Sequence, residues 1–393
     1  MNPKVLFGKI GRAVLGTMLA MFLLATSVCH SMALPEVKSK SAILVEASTG
    51  QIVFESNSEE RRSPASITKI MTVLLTFEAL SQGHISLEDN VSVSAHASSM
   101  GGSQVWLEEG EVQKLNTLLK CVIVASANDA SVAIAEHIAG SEDEFVNNMN
   151  EKASQLGMTN THFMDCCGLT DSDEHYTTAK DVAIMSRELI TKYPDVFAYT
   201  QIWMEDFVHT TSKGESVFTL SSTNKLLKQY DWITGLKTGF TSKAMYCVSA
   251  TGSKDGMDLI AVVMGGPDSA TRFQEAAALL NYGYSVCKLY VDDNPKQLPQ
   301  MAVKGGKTDT VSLQYVEQFR FLDTEKRDFS GIEKTLEIPN EVKAPVQKGS
   351  SAGYMVYKLD GKMLGRASIV YGEDVQRATF KDVFMDILKK YCI

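Results

Sequence analysis

The 393-residue sequence lacks the features that mark nucleic-acid-binding and metal-dependent proteins. Its formal net charge is −9 and its lysines and arginines form no basic cluster, which argues against binding to nucleic-acid phosphates. It contains no CxxC or HExxH pattern, and its 7 histidines are scattered. We therefore expect no metal site, no other cofactor and no nucleic-acid partner.

Low-complexity tracts are also absent, and a chain of this length is predicted to form two globular units. Six of the 7 cysteines follow residue 33, and in a small secreted domain such an even number would suggest disulfides. This chain is large enough to fold around an apolar core, and Cys121 and Cys247 lie within apolar runs. Buried free thiols are the simpler expectation.

The N-terminal segment has the pattern of a secretory signal. Lys4, Lys9 and Arg12 precede an apolar stretch from Ala13 to Val28, and residues 1–33 contain no acidic residue. Ser31-Met32-Ala33 has the small-x-small pattern of a cleavage site. The apolar stretch is short for a retained membrane span. We expect a signal peptide over residues 1–33, so that the remaining chain works outside the cytoplasm.

Residues 34–293 are predicted to form one α+β domain. Residues 42–56 alternate as two strands joined by a turn, and an apolar helix begins at Pro64. The chain is then mostly helical from Leu87 to Tyr199, and strands return at WITGLKTGF, AMYCVSATG and DLIAVVMGG before a final helix from Ser269. This order predicts a mostly antiparallel sheet that is interrupted by a helical lobe.

The composition changes at Asp292-Asp293-Asn294-Pro295, which is typical of a linker. Short β-type runs with glycine and proline between them follow, and they predict an all-β domain of about 80 residues over 294–378. Residues 379–393 place apolar side chains on one helical face. They are predicted to form an amphipathic helix.

Ser66 lies three residues before Lys69, where Pro64 would open a helix, so the two side chains should share one helical face. A serine hydroxyl is a weak nucleophile and needs a base within hydrogen-bonding reach. Lysine can be that base only where burial or neighbouring cations hold it neutral. The alternative is a capped helix with a solvated lysine.

A set of three motifs decides between these alternatives. SxxK alone is weak, because it recurs at Ser222/Lys225 and Ser285/Lys288. The set of Ser66-x-x-Lys69, Ser126-x-Asn128 and Lys237-Thr238-Gly239, however, occurs in the order used by penicillin-recognising serine enzymes. The first motif opens a helix, the second follows an apolar helix and the third lies on a strand.

On these residues the chain resembles the D-alanyl-D-alanine carboxypeptidases, the low-molecular-mass penicillin-binding proteins of the serine DD-peptidase family. The similar strings run nearly end to end, and they include PASITKIMT, SANDA, HYTTAKDVA, GLKTGFTSKAMYCVSAT and VYKLDGK. The resemblance implies a serine β-lactamase/DD-peptidase-like catalytic domain followed by a small all-β domain. It also implies peptidoglycan stem peptides as substrates, release of their terminal D-alanine through an acyl-enzyme, and β-lactams as covalent inhibitors.

The resemblance further implies the roles of the catalytic residues. Ser66 attacks the carbonyl of the penultimate D-alanine, and Lys69 accepts the serine proton. Ser126 relays a proton to the leaving D-alanine nitrogen, and Asn128 hydrogen-bonds the amide of the substrate. Lys237 supplies positive potential that keeps Lys69 neutral and orients Ser126.

Substrate binding is assigned on the same basis. Thr238 of the Lys237-Thr238-Gly239 strand and Arg272 would bind the terminal carboxylate, since a cation with a hydroxyl recognises a free carboxylate well. The oxyanion hole would use the main-chain N–H groups of Ser66 and Phe240. Arg272 also has a plainer interpretation as a surface residue that opens a helix.

Several positions depart from the family pattern or carry no chemistry. Phe240 follows the KTG motif where some relatives have histidine, so only its backbone contribution carries over. Cys166-Cys167 precedes GL where relatives often have an Asn-Pro-like pair. His175 lies outside the three motifs and is interpreted as scaffold. Residues 349–353 match GxSxG, but a β-type run follows them, so we expect a loop and not the nucleophile elbow of an esterase.

Two alternatives to the carboxypeptidase remain. A serine β-lactamase shares the serine and lysine but needs an added water-activating base, and Glu142 and Glu144 lie in what looks like a plain amphipathic helix. A catalytically silent wall-binding relative would usually have lost a residue of the set that is intact here: Ser66, Lys69, Ser126 and Lys237. The terminal helix resembles the membrane anchor of the family, and the alternative is that it packs against the β domain.

Overall fold

The computed structural model describes residues 34–211 and 213–391, so the predicted signal peptide lies outside the described residues. The strands of the first part of the chain are β1 (Ser41–Glu46), β2 (Ile52–Ser56), β3 (Asn90–Ser92), β4 (Val112–Lys114), β5 (Met204–Thr211), β6 (Gly214–Ser221), β7 (Ile233–Thr241), β8 (Met245–Lys254) and β9 (Met257–Gly266). The helices between and after them are α1 (Lys69–Ser81), α2 (Ala95–Ser98), α3 (Leu115–Val124), α4 (Asn128–Ala139), α5 (Glu142–Gln155), α6 (Ala179–Lys192), α7 (Phe197–Thr200) and α8 (Ser269–Val286).

Five of these strands form an antiparallel sheet in the order β2-β1-β9-β8-β7. Strand β9 pairs with β1 at the centre, so the N-terminal strand pair joins the three later strands although the helical lobe separates them in sequence. The fully buried central strands read as continuous apolar runs, because both faces of the sheet are covered by helices.

The two faces of the sheet belong to different apolar clusters. Leu44 and Leu259 point to α8, whereas Ile43 and Ile260 point to the helical lobe and α1. This alternation follows the two-residue period of a β-strand. The fold class expected from the sequence, an antiparallel sheet with a helical lobe inserted, is confirmed.

The sequence analysis missed two strand pairs, one within the expected helical lobe and one directly after it. A short pair joins β3 to β4, and a longer hairpin joins β5 to β6 over Met204–Ser221. One strand of the hairpin shows why it was missed, because four of its first five residues are exposed and its apolar alternation is weak. Val208 and Val217 are exposed partners of each other across this hairpin.

The C-terminal part of the chain is β-rich. Its strands are β10 (Lys288–Val291), β11 (Met301–Lys304), β12 (Thr310–Val311), β13 (Leu313–Tyr315), β14 (Arg320–Asp323), β15 (Glu333–Glu337), β16 (Glu341–Lys343), β17 (Ser351–Leu359) and β18 (Lys362–Tyr371). They form a four-stranded sheet β13-β18-β17-β15, a three-stranded sheet β12-β11-β16 and the pair β10-β14. The side chains of Met355, Tyr357 and Ile369 fill their shared core.

The β-rich region begins earlier than expected. Strand β10 pairs with β14, and the Asp292 carboxylate accepts a hydrogen bond from the Tyr357 hydroxyl at 2.7 Å. Residues 288–293, which the sequence analysis placed in the catalytic domain, therefore pack with the β-rich region. Within the predicted linker, Asp292 is buried, whereas Asp293, Asn294 and Pro295 are exposed.

A final helix, α9 (Phe380–Tyr391), closes the described chain. Phe380, Val383, Phe384 and Ile387 are exposed on it. In residues 34–211 and 213–391 no helix has the length and apolar character needed to cross a membrane.

Candidate active site

Ser66 lies on a 3-10 turn, Ala65–Thr68, that leads directly into α1. Ala65 before it adopts a left-handed conformation with φ of 49°, which is unusual for a residue with a Cβ. Strained backbone of this kind persists where the surrounding structure determines it, and such positions concentrate at functional sites. Ser66 itself is half-buried, whereas Lys69 below it is fully buried.

Three oxygen atoms surround the Lys69 side chain. Its Nζ lies 2.6 Å from Asn128 Oδ1, 2.8 Å from the Cys167 carbonyl oxygen and 3.2 Å from Ser66 Oγ. Asn128 Nδ2 donates to the Gly101 carbonyl at 2.7 Å, so Asn128 Oδ1 faces Lys69 as an acceptor. Two of the three contacts of Lys69 are therefore with pure acceptors, and the third is with a hydroxyl.

Ser126 and Lys237 form the second half of the site. Lys237 Nζ donates to Ser126 Oγ at 2.8 Å and to the Thr238 carbonyl at 3.2 Å. Ser126 has a left-handed φ of 62° between α3 and α4, which is the second strained position beside the candidate catalytic groups. The structure thus brings Ser66, Lys69, Ser126, Asn128 and Lys237 together from three separate stretches of sequence.

Burial changes the charge of both lysines. Burial lowers the pKa of Lys69, although nearby acidic and thiol groups oppose this. Burial also lowers the pKa of Lys237, well below its ordinary value, and the neighbouring Lys69 and Arg272 lower it further. Because the charge of Lys69 lowers the pKa of Lys237, the free enzyme holds protons on both amines less readily than two separate lysines would.

Strand β7 lies against the turn that carries Ser66. A Cβ atom on Gly239 would be 3.0 Å from the Pro64 carbonyl oxygen and 3.1 Å from the main-chain nitrogens of Ser66 and Ile67. Only glycine allows this approach without a shift of the neighbouring backbone. The close packing places the adjacent residue, Phe240, at the edge of the same site, with 53% of its surface exposed.

Thr238 and Arg272 flank the KTG strand differently. Thr238 Oγ1 donates to Thr223 Oγ1 at 2.7 Å. Arg272 is buried, and its Nη1 donates to the Gly239 carbonyl at 2.9 Å and to the Cys247 carbonyl at 3.1 Å. Arg272 therefore connects β7 and β8 through their main-chain carbonyls. Its plainer interpretation, a surface residue, is wrong, because the side chain is buried.

The loop Asp165–Thr170 is the part of the site that sequence reasoning missed, although the odd Cys166-Cys167 pair drew attention to it. Its contribution comes from main-chain carbonyls, with the Cys167 carbonyl accepting from Lys69 and the Cys166 carbonyl accepting from Thr72 Oγ1 at 2.5 Å. Because these contacts do not depend on side-chain type, no sequence motif marks them.

His175 and Glu142 support this loop from outside. His175 Nδ1 accepts the Met164 N–H at 3.0 Å, so its Nε2 carries the proton and donates to Thr68 Oγ1 at 2.9 Å. Burial lowers the pKa of His175, which favours this neutral form. Glu142 accepts from the Cys166 N–H at 3.1 Å and contacts His96 at 2.7 Å.

The repeated motifs elsewhere have ordinary structural roles. Asn224 of the second SxN pattern caps a 3-10 turn, with its Oδ1 accepting the Leu226 N–H at 3.2 Å. Ser285 donates to the Tyr282 carbonyl and Lys288 to the Arg327 carbonyl. The GxSxG pattern at 349–353 is a turn that runs into β17, as expected. The five cysteines in the described part of the chain are buried free thiols: Cys121, Cys166, Cys167, Cys247 and Cys287.

Comparison with known families matches both parts of the chain. A family model described as D-alanyl-D-alanine carboxypeptidase matches residues 28–268, and one described as penicillin-binding protein 5, C-terminal domain, matches residues 284–377. The second match begins near the start of β10.

Individual relatives cover most of the chain. The D-alanyl-D-alanine carboxypeptidase DacF of Bacillus subtilis (strain 168) is 40% identical over 344 residues, 87% of each chain, and DacA of Escherichia coli (strain K12) is 29% identical over 372 residues, covering 90% of this chain and 88% of the relative. Among solved structures, penicillin-binding protein 5 from Haemophilus influenzae superposes with a TM-score of 0.74 and 30% identity, covering 88% of this chain and all of that one. The resemblance drawn from the motifs is confirmed.

Proposed function

The chain belongs to the D-alanyl-D-alanine carboxypeptidase family and is a serine-type hydrolase, and on that premise we propose that Ser66 is its nucleophile and Lys69 its general base. The proposed substrate is a peptidoglycan stem peptide that ends in D-alanyl-D-alanine. Ser66 Oγ attacks the penultimate D-alanine carbonyl, the terminal D-alanine leaves, and water then hydrolyses the serine ester to restore the enzyme.

The surroundings of Lys69 carry this proposal. A neutral amine has two N–H groups and one lone pair, and the two N–H groups of Lys69 are directed to the pure acceptors Asn128 Oδ1 and the Cys167 carbonyl. The lone pair is left for the Ser66 hydroxyl, 3.2 Å away. Burial supports the neutral amine by lowering the pKa of Lys69, so the arrangement suits proton abstraction from Ser66.

The leaving group needs a proton, and Ser126 is the proposed relay. Its hydroxyl is held at 2.8 Å by Lys237 Nζ. In this proposal the proton taken by Lys69 passes through Ser126 to the departing D-alanine nitrogen. The substrate carbonyl oxygen that becomes negative would be stabilised by the main-chain N–H groups of Ser66 and Phe240. Ser66 lies on the Ala65–Thr68 turn and Phe240 on β7, and these two elements meet at Gly239.

The terminal carboxylate of the substrate is proposed to bind at Lys237 and Thr238. A carboxylate beside the buried Lys237 amine favours its charged form, and the Thr238 hydroxyl adds a donor. Arg272 contributes from behind, because its guanidinium fixes the Gly239 carbonyl and therefore the KTG strand. An internal peptide has no such carboxylate, which accounts for carboxypeptidase activity.

A β-lactam would acylate the same serine, and the adduct should persist. Glu142, a candidate for the water-activating base of a β-lactamase, is held by the Cys166 N–H and His96. A long-lived adduct on mass spectrometry, with slow nitrocefin turnover, is the expected result; fast turnover would favour the β-lactamase. A catalytically silent relative would form no adduct at all.

The proposed location is the outer face of the cell membrane or the cell wall, after cleavage of residues 1–33. The proposed domain division is a catalytic domain followed by the β-rich domain and the helix from residue 379. The exposed apolar residues of α9, Phe380, Val383 and Phe384, are consistent with peripheral contact to a membrane surface.

Fluorescent penicillin labelling tests the nucleophile directly. The wild type should be labelled and Ser66→Ala should not, while Ser222→Ala, in the repeated SxxK pattern outside the site, should be labelled normally. Labelling of Ser66→Ala at the wild-type rate would refute the assignment.

A further inference from the structure

We propose that Asp165 is a positioning residue for the reaction: its carboxylate fixes a loop that sets both the Lys69 base and the backbone in front of Ser66. The inference rests on the proposed function, since it assigns an indirect role in acylation of Ser66. Asp165 itself touches neither Ser66 nor the substrate-binding strand in the proposed mechanism.

The carboxylate of Asp165 collects four main-chain N–H groups of the loop that follows it. Its Oδ1 accepts from the N–H groups of Cys167, at 2.9 Å, and Gly168. Its Oδ2 accepts from those of Leu169, at 3.1 Å, and Thr170, at 2.7 Å. Hydrogen bonds from neutral donors to an ionised acceptor are stronger than neutral pairs, so one side chain defines the path of five residues.

With the N–H groups turned toward Asp165, the carbonyls of the same loop point the other way, to the catalytic helices. The Cys167 carbonyl accepts from Lys69 Nζ at 2.8 Å, and the Cys166 carbonyl accepts from Thr72 Oγ1 at 2.5 Å and Ser131 Oγ at 3.0 Å. The loop thus connects α1 and α4 through hydrogen bonds beside Lys69, the proposed base. The Cys167 carbonyl is one of the two acceptors that leave the Lys69 lone pair free for Ser66.

The loop also presses on the turn that carries the nucleophile. Gly168 has a left-handed φ of 76°, and a Cβ there would lie 1.9 Å from the Ala65 carbonyl oxygen and 2.8 Å from Thr68 Oγ1. Ala65 is the strained residue that immediately precedes Ser66. The peptide that Asp165 holds at Gly168 therefore supports the conformation that presents Ser66.

The electrostatics of Asp165 suit this role. Burial would raise the pKa of the Asp165 carboxyl, but His175, in the protonated form that it takes at low pH, and the N–H groups of the loop hold that pKa below its ordinary value. The carboxylate is therefore ionised and able to accept all four bonds at neutral pH. An uncharged amide of the same shape would lose one of the two acceptor oxygens, and with it two of the four hydrogen bonds.

The test compares Asp165→Ala, Asp165→Asn and the control Asp173→Asn in rapid-mixing kinetics with a fluorescent penicillin. Asp173 lies in the following segment, but its side chain is exposed and its ion pair is with Lys243. The measurement separates the dissociation constant of the non-covalent complex from the acylation rate constant. Melting temperatures identify a temperature at which every variant is folded.

The acylation rate constant should fall about 10- to 100-fold in Asp165→Ala, because small misplacement of reacting groups has effects of that size, and the dissociation constant should change little. Asp165→Asn should lie between the wild type and Asp165→Ala, and Asp173→Asn should match the wild type. If Asp165→Ala does not fold, the acylation rate constant of Asp165→Asn tests the proposal by itself, and it should be lower than that of the wild type.

Wild-type acylation rate constants in the folded Asp165 variants, or a loss confined to the dissociation constant, would overturn the inference. Failure of the proposed function gives a different result, since the wild type would then not be acylated, or Ser66→Ala would be acylated as well.

Discussion

Gly239 and Ser66 are packed so closely that a methyl group on Gly239 would lie 3.1 Å from the Ser66 main-chain nitrogen. The substrate-binding strand and the nucleophile turn therefore meet without an intervening side chain. An oxyanion hole formed by groups on both elements requires this approach, because its two N–H donors must reach one oxygen atom.

Gly239→Ala should therefore slow acylation while leaving the fold intact. The added methyl group would separate β7 from the Ala65–Thr68 turn by a few tenths of an ångström and misalign the proposed N–H donors. We expect the acylation rate constant to fall at least about tenfold and at most by the roughly 10²- to 10³-fold loss that follows removal of one oxyanion donor. Gly331→Ala is the control, since its Cβ would meet only Leu359 Cδ1 at 3.6 Å, and it should acylate normally. Equal rates in both variants would contradict the proposed contact.

The pH dependence of acylation tests the state of Lys69. Burial lowers the pKa of Lys69, so the neutral base is present at lower pH than for a free lysine. The second-order acylation rate constant should rise with pH through that lowered pKa and level off below about 10.4, the ordinary value for lysine. A rate that continues to rise up to that ordinary value would mean that Lys69 is not held neutral. The apparent pKa belongs to the coupled pair of Lys69 and Lys237.

Lys69→Arg should remove the base without removing the side-chain volume. A guanidinium remains protonated and has no lone pair for the Ser66 proton. Acylation should fall by about 10²- to 10⁴-fold, the usual contribution of a general base, in a protein that still melts cooperatively. Near-normal acylation of Lys69→Arg would assign proton abstraction to another group.

Lys237→Gln tests recognition of the terminal carboxylate. The variant keeps a polar side chain near Ser126 but loses the amine that a carboxylate would charge. The wild type should discriminate strongly between a D-Ala-D-Ala peptide and its C-terminal amide, and the variant should lose most of that discrimination. Comparing kcat/KM for the two peptides in both proteins measures the effect. Unchanged discrimination would place the carboxylate elsewhere, with Arg272 as the next candidate.

The apolar residues of α9 predict weak membrane-surface binding. Phe380 and Phe384 are exposed, and their rings lie 6.3 Å apart on one face. Replacing both with aspartate should reduce co-sedimentation with phospholipid vesicles, whereas Val316→Asp, an exposed apolar position in the β-rich region, should not. If the wild type does not sediment with vesicles at all, the proposed membrane contact is wrong.

Much of the candidate site was predictable because its side chains lie in short local motifs. Ser66 and Lys69 share one helical turn, and Lys237, Thr238 and Gly239 are consecutive on one strand. Their chemistry depends on residue type, so it is visible in the sequence. The structure then brings these motifs together through the pairing of β7 with β8 and the packing of α4 beside α1.

The remainder depends on main-chain atoms and on tertiary context. Lys69 and the Cys167 carbonyl are 98 residues apart in sequence, and any residue type at 167 would supply that carbonyl. Position 168 requires glycine because a Cβ atom there would clash with the Ala65 carbonyl oxygen, and no local sequence pattern indicates that contact. The β5–β6 hairpin was missed for a related reason, since β6 is mostly exposed and β5 buries only Phe207 and His209, so neither strand shows strong apolar alternation in sequence.

The most direct test of the central claim is D-alanine release from a stem pentapeptide by the wild type and by Ser66→Ala. The account predicts stoichiometric release of the terminal D-alanine by the wild type and release at the uncatalysed rate by Ser66→Ala. Release by Ser66→Ala at the wild-type rate, or no release by a folded wild type that is labelled by penicillin, would contradict it.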